Sequence, residues 1–198
     1  MDTHTAPPPR TAARRSRFDS YLVTVRRACS TPAGRAALQG GLADGFRHPW
    51  PMFEHLLPHG TIPAAATSTA QYPYLLIASL YALHEVPNPR IGPGEPDFGA
   101  VPVSKPWQNL GWSYRMAVAS GGMKSSRAED DLAHLAQLML PALYEALPGV
   151  VGQLRGKRAP VEWATLLRDL TLWQRRGDEV RIRWARAFYQ PTASNGDE

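Results

Sequence analysis

The sequence has little of what several common chemistries require. Cys29 is its single cysteine, which excludes an intramolecular disulfide and a thiolate-bound metal cluster. That usage suits a reducing compartment, so a cytoplasmic location is expected. No apolar run approaches the roughly 20 residues of a membrane span. Residues 1–17 are rich in Pro, Thr and Arg but lack the apolar centre of a secretory signal, and they read as a disordered basic arm. Nothing alternates at period two, so few or no strands are expected. There is no internal repeat. No glycine-rich loop runs from a strand into a helix, and no Gly-Lys-Ser/Thr follows one, which argues against phosphate-cradling NTPase chemistry.

Candidate catalytic groups are equally sparse. The six histidines, His4, His48, His55, His59, His84 and His134, are scattered. His55 and His59 have the four-residue spacing of paired metal ligands on a helix, but Pro58 lies between them and no glutamate stands where a metalloprotease base would. Asp130 and Asp131 are adjacent, so on a helix their side chains point about 100° apart, and a position in a first turn already explains them. Cys29 has no nucleophile signature around it and reads as a buried thiol. No catalytic residue, metal or cofactor is therefore expected, and the chain reads as a non-enzyme.

What the sequence does contain is helical periodicity, tryptophan and positive charge. Six tryptophans and a hydrophobic fraction of 43% favour a folded chain. Phe18, Tyr21, Leu22 and Val25 recur at helical spacing, with Arg26 and Arg27 in the last turn, where cations suit the helix dipole. Thr31 and Pro32 are a cap and first-turn pair for a helix over 33–42. Residues 50–57 form a short turn closed by Pro58 and Gly60. A core helix is predicted over 69–85, opened by Ser68 and Gln71 as a capping box with Pro73 in its first turn. Its apolar or small face is Tyr72, Leu75, Leu76, Ser79, Leu80 and Leu83. A helix near 107–119 ends at the Ser-Gly-Gly of 120–122. Another opens with a Ser126/Glu129 capping box, with Glu129, Asp130 and Asp131 in its first turn. It buries Leu132, Leu135, Ala136, Met139 and Leu143, with a kink at Pro141, and 147–160 is a connection carrying Arg155, Lys157 and Arg158. Pro160 opens an amphipathic helix with Trp163, Leu166, Leu167, Leu170 and Trp173 inside. Gly177 punctuates it, and a last helix over 178–189 packs Val180, Trp184, Ala187 and Phe188.

The fold class is thus all-α. Between Pro87 and Pro106 stand six prolines and three glycines, which disfavour an ordered helix or central strand. The expected organisation is two small helical domains joined by a Pro/Gly-rich loop: 1–17 a disordered arm, 18–90 an N-terminal helical domain, 91–106 a linker, 107–190 a C-terminal bundle and 191–198 a disordered tail.

A formal net charge of +5 and an isoelectric point near 9.7 point to a polyanionic partner. From Arg155 to Arg186 there are nine Lys/Arg against four Asp/Glu. Arg168 and Arg175, seven apart, share the polar side of one predicted helix; Arg183 and Arg186, three apart, face away from Val180 and Trp184. Rows of this kind can track phosphates, and they equally suit a solvated face with intrahelical ion pairs. The helix, Gly177 and helix sequence also allows a helix-turn-helix DNA-binding transcriptional regulator. Against it, Asp178 and Glu179 occupy the end that would enter the groove, and Trp184 and Phe188 look like packing residues. Amphipathic membrane attachment is the weakest alternative, because the apolar face has other helices to pack on.

The run VEWATLLRDLTLWQRRGDEVRIRWARAFYQ (161–190) resembles the C-terminal signature of the CasB family, the small subunit of the type I-E CRISPR Cascade complex. The matching elements are Val161-Glu162-Trp163, Leu166-Leu167-Arg168-Asp169-Leu170, Trp173, and Arg181 to Tyr189 as Arg-x-x-Trp-Ala-x-x-Phe-Tyr. Leu22, Arg26, Arg27, Pro32, Arg35 and Leu38 resemble the family's opening Leu-x-x-x-Arg-Arg element. Where the family usually carries an Arg-Phe pair before two leucines, this sequence has Asp131-Leu132. The resemblance implies a helical, non-catalytic subunit present in two copies, with the other Cascade subunits, guide RNA and target DNA as partners, stabilising the R-loop and its displaced strand. Sequence-independent phosphate binding is accordingly expected from Arg26, Arg27, Arg35, Arg115, Lys124, Arg127, Arg168, Arg175, Arg183 and Arg186.

Overall fold

A computed structural model describes residues 16–62, 68–85 and 105–190. Residues 1–15, most of the expected linker (91–104) and the expected tail, 191–198, lie outside the described residues. The described residues form an all-α fold without strands: α1 (Arg17–Cys29), α2 (Pro32–Ala43), α3 (Trp50–Leu56) with a 3-10 turn (Leu57–His59), α4 (Ser68–His84), α5 (Leu110–Ala119), α6 (Ser125–Gln137), α7 (Leu140–Gly156) and α8 (Trp163–Tyr189).

Local chemistry sets the early boundaries. Ser16 caps α1 by a reciprocal capping box with Asp19, so Ser16 and Arg17 belong to the helix start. The hydroxyl of Thr31 accepts the Gly34 N–H at 3.1 Å and Pro32 fills the first turn of α2, as the sequence predicts. The Asn109 side chain accepts from the Trp112 N–H, which starts α5 at Leu110 and leaves Trp107 ahead of it.

α4 is the centre of the molecule. The sequence suggests one buried face, but residues 74–82 are buried all round, as expected of a helix that is apolar on every side. Leu83, assigned to the inner face, is exposed. α1, α2, α7 and α8 all pack on α4, and cross-helix hydrogen bonds fix the register of the first two. The Tyr21 hydroxyl donates to the Tyr74 carbonyl at 2.7 Å, the Ser79 hydroxyl to the Leu38 carbonyl at 2.6 Å, and the Gln39 amide to the Ala82 carbonyl at 2.8 Å. Pro73 lies inside the helix in its second turn, because α4 already begins at Ser68, the residue expected to cap it. The buried side chains of both halves form one continuous cluster.

The second half differs from the sequence reading in two places. Lys124, which makes no side-chain cap bond, precedes α6, so Ser126 is no cap and the acidic run lies in the second turn. Ser125 instead donates its hydroxyl to Glu129 at 3.3 Å, and Asp131 pairs with Arg127 at 3.0 Å. The chain then leaves the helix at Leu138 (ψ 140°) and restarts at Leu140 with Pro141 in the first turn. Met139 is 72% exposed and does not join the buried stripe. The stretch read as a connection is helical to Gly156: Leu147, Val151 and Leu154 are buried, and that burial outweighs the low propensity of Pro148, Gly149 and Gly152.

α8 begins at Trp163 behind a Glu162 cap, not at Pro160, and it is not straight. Arg176 has non-helical angles (φ −141°, ψ 34°), one residue before the predicted break at Gly177. Asp169 nevertheless bonds Arg183 at 3.0 Å and Trp184 at 2.8 Å. A straight helix would hold residues 14 apart about 21 Å away from each other. Residues 163–175 and 177–189 are therefore two limbs folded back on one another, with Trp173 and Trp184 ring centroids 5.0 Å apart.

His84 closes α4 beside Arg155. Burial, and then the Arg155 charge, lower its pKa from the usual 6.5, with Glu85 opposing. A histidine with a depressed native pKa leaves stability whole above pH 6.5 and erodes it as the pH falls, because the unfolded chain takes up the proton first. Denaturant midpoints measured at pH 7.5 and 5.5 are expected to drop more for the wild type than for His84→Gln. An equal drop would remove His84 from the account.

Candidate nucleic-acid interface

The ten predicted cations have different surroundings. Arg26 is half-buried in the last turn of α1, its Nε donating to the Tyr81 hydroxyl at 3.0 Å, while its neighbour Arg27 is exposed. Arg35 is half-buried in α2, close enough to Cys29 to draw its thiol pKa down slightly. Burial prevails and pushes that thiol up to about 11, which makes it unreactive. Arg115 reaches across to the Gln190 carbonyl at the end of α8 at 3.3 Å. Arg127 is exposed but paired with Asp131.

Arg168 and Arg183 do not stand in outward rows. Both turn their guanidinium groups onto Oδ1 of Asp169, at 3.3 and 3.0 Å, and the Trp184 indole N–H donates to Oδ2. The Asp169 carboxylate has no solvent-exposed surface. Burial holds its pKa above the usual range, against the pull of the Trp184 hydrogen bond and the two arginines. Arg168 also donates to the Pro106 carbonyl at 3.4 Å. The two residues thus work as internal fasteners between the limbs of α8 and the chain entering α5. Arg175, at the end of the first limb, and Arg186, in the last turn of the second, remain on the surface.

A further group of exposed cations includes two residues outside that set. α7 ends in a Schellman motif: the Ala159 N–H donates to the Leu154 carbonyl and the Arg158 N–H to the Arg155 carbonyl, both at 2.9 Å. This turn lies against the loop between α5 and α6, where a Cβ on Gly122 would sit 3.1 Å from the Lys157 Cβ. Lys157 and Arg158 are exposed there, beside the loop that ends in exposed Lys124. The Gln153 amide ties α7 to Asp131 of α6 at 3.3 Å. Arg155, the third member of the run, is held by Glu85 at 3.2 Å. The sequence signal was the Arg-Gly-Lys-Arg run itself, noted in the expected connection but not carried into the set of ten.

Arg158 has φ +58°. It occupies the left-handed position after a helix that glycine fills at least cost, and an L-residue there costs about 1–2 kcal/mol.

Elsewhere Asp19 and Glu162 cap helices, and Glu85, Asp131 and Asp169 hold ion pairs. Among the described residues no three His, Cys, Asp or Glu side chains converge as metal ligands, and no helix is long and apolar enough to cross a membrane. The molecule is a small, basic, all-α protein whose buried polar groups lock helices together and whose surplus cations lie on the surface.

Comparison with known proteins narrows this class. The family model described as CRISPR-associated protein Cse2 (CRISPR_cse2) matches residues 34–189. The chain belongs to the Cse2 family. Among solved structures, the crystal structure of M. ruber CasB is 26% identical with a TM-score of 0.68, over 89% of this chain and 94% of that one. A Cse2-family CRISPR-associated protein from Thermus thermophilus is 20% identical with a TM-score of 0.64, over 88% and 98% of the two chains. A chain of a CRISPR RNA-guided surveillance complex is 23% identical with a TM-score of 0.65, over 87% and 93%. The last two likenesses speak to the fold alone. No curated protein matches the sequence.

Proposed function

We propose that this protein is the non-catalytic small subunit of a type I-E CRISPR Cascade complex, and that it holds nucleic acid by its phosphates without reading sequence. Family membership and the fold shared with a chain of an RNA-guided surveillance complex support the assignment to the complex. Its partners on this reading are the other subunits, a second copy of itself, the guide RNA and the target DNA with its displaced strand.

The observation that carries the phosphate-binding part is Arg158. A strained backbone retained at an exposed cation points to a use for that cation, and its neighbours Lys124 and Lys157 are cations as well. Arg175 and Arg186 supply further surface charge. Arg26, Arg115, Arg168 and Arg183 are engaged in holding the fold, so they contribute less. Backbone contacts of this kind position nucleic acid and carry no sequence information.

The test compares binding isotherms on unrelated oligonucleotides at several salt concentrations. Removing one phosphate-binding cation should make the slope of log K against log salt shallower by about 0.9 on duplex DNA and about 0.7 on single strands. Lys124→Glu and Lys157→Glu are expected to lower both affinity and slope. Arg158→Gly should separate the two roles of that residue, raising stability by about 1 kcal/mol while weakening binding. Binding that is independent of salt, or that prefers one sequence by orders of magnitude, would overturn the proposal; the second result is the behaviour of a helix-turn-helix regulator.

A further inference from the structure

α5 packs along the second limb of α8 (177–189), and the two run in the same direction. The Asn109 side chain donates to the Arg183 carbonyl at 3.1 Å, and Arg115, further along α5, donates to the Gln190 carbonyl at 3.3 Å. The charge along this pair is of one sign. Residues 105–120 and 180–190 contain Lys105, Arg115, Arg181, Arg183 and Arg186 and no Asp or Glu. Two of these cations are answered from other segments: Arg181 by Asp178 at 2.6 Å, and Arg183 by the buried Asp169. Arg115 meets an uncharged carbonyl, which leaves its charge in place. Arg186 is exposed and pairs with no carboxylate among the described residues.

Apolar side chains share the outward face with Arg186. Ile182, Arg186 and Tyr189 have the four- and three-residue spacing that aligns side chains on one side of a helix, while Val180, Trp184 and Ala187 turn inward. Ile182 is 52% exposed and Tyr189 63%. The Tyr189 ring stands nearly perpendicular to that of buried Phe188, with centroids 4.9 Å apart, which braces it and leaves most of it open. An open aromatic ring beside cations has the two parts of a sequence-tolerant single-strand site, a surface for stacking a base and a charge for its phosphate. Arg186 and Tyr189 are about 4.5 Å apart along the helix axis, close enough for one nucleotide to meet both. In a duplex the bases already stack on one another, so only an unpaired strand has a base face to offer. Ile182 and Tyr189, separated by an arginine, make no contiguous apolar core of the kind a stable protein interface needs.

We propose that this face binds an unpaired nucleic-acid strand, with a base stacked on Tyr189 and the adjoining phosphate held by Arg186, Arg115 adding charge alongside. Phosphate binding by this protein, as proposed above, is presupposed. The stacked base adds a contact that is blind to sequence but requires a single strand.

Binding isotherms of the full chain on oligothymidylate and on an abasic oligomer of equal length separate the two contacts. Both oligomers carry the same phosphates, so phosphate binding alone gives them equal affinity. Tighter binding of oligothymidylate is expected. Tyr189→Ala should lower its affinity by about 5- to 150-fold and leave the abasic isotherm unchanged, which also shows that the variant is folded. Tyr189→Phe should bind as the wild type does. Arg186→Gln should weaken both oligomers alike and make the slope of log K against log salt shallower by about 0.7. Equal affinity for the two oligomers, or a Tyr189→Ala variant that binds oligothymidylate as tightly as the wild type, would overturn the stacking site and leave phosphate binding standing. Abasic binding that ignores salt would overturn both.

Discussion

Replacing Asp169 with alanine is expected to lower the unfolding free energy by about 3–5 kcal/mol, the usual cost of removing one partner from a buried ion pair. The carboxylate is fully buried and accepts from three donors at once: Arg168, Arg183 and the indole of Trp184. Its loss would leave two mostly buried guanidinium groups without their counter-charge. Both of those arginines already have a buried Nε without a hydrogen-bond partner, so nothing in place takes over the released bonds. Arg168 and Arg183 also lie across the fold-back of α8, and their release removes the polar tie between residues 163–175 and 177–189. Asp169→Asn keeps an acceptor for Trp184 but not the charge, and should fall between alanine and wild type. Urea unfolding of the three proteins gives the order directly. A loss below about 1 kcal/mol for the alanine variant would show that solvent or other acceptors satisfy the arginines.

Gly111→Ala is expected to be the second most damaging small change, for a steric reason. A Cβ at Gly111 would lie 1.9 Å from the Trp184 carbonyl oxygen and 2.7 Å from its carbon. Both are backbone atoms of the second limb of α8, so no side-chain rotation relieves the clash and α5 must move off α8. Overpacking of that kind costs about 1–3 kcal/mol and occasionally more. Alanine in place of glycine inside a helix regains up to about 1 kcal/mol, so a net loss of up to about 2 kcal/mol is expected. Gly149→Ala in α7 supplies the contrast. A Cβ there meets nothing within 4 Å, so the helix-propensity gain stands alone and the melting temperature should rise. If both variants behaved alike, backbone freedom and not close approach would be the reason for Gly111.

Helices were legible where one strong local signal sufficed. Apolar spacing and terminal arginines marked α1, the Thr31-Pro32 start marked α2 and an apolar face marked the first limb of α8, whereas the Ser16 and Glu162 caps emerged only from the structure. α7 was not legible, since Pro148 and three glycines over 149–156 signal a connection. Only the neighbours that bury Leu147, Val151 and Leu154 reveal the helix. The same misreading left Lys157 and Arg158, noted as part of that connection, out of the expected phosphate-binding set. Arg183 failed for a different reason: helical spacing fixes where Cβ points, whereas a long side chain bends toward whatever charge lies within reach. For Arg183 that charge is Asp169, fourteen residues earlier and adjacent only because α8 doubles back.

The single cysteine and the lack of long apolar runs already ruled out an intramolecular disulfide and membrane-spanning helices of ordinary length, and the helical recurrence of leucine and tryptophan determined an all-α chain. Those outcomes depend on composition and local spacing, which a sequence carries in full. Which cations face outward was decided by tertiary structure, because that choice depends on buried carboxylates and backbone crossings between residues far apart in the chain. Asp169 draws in Arg168 and Arg183 and Glu85 draws in Arg155, while Lys124, Lys157 and Arg158 stay exposed. A charge count cannot tell these groups apart; burial does, since a desolvated carboxylate takes the nearest guanidinium and leaves only the remainder for a partner.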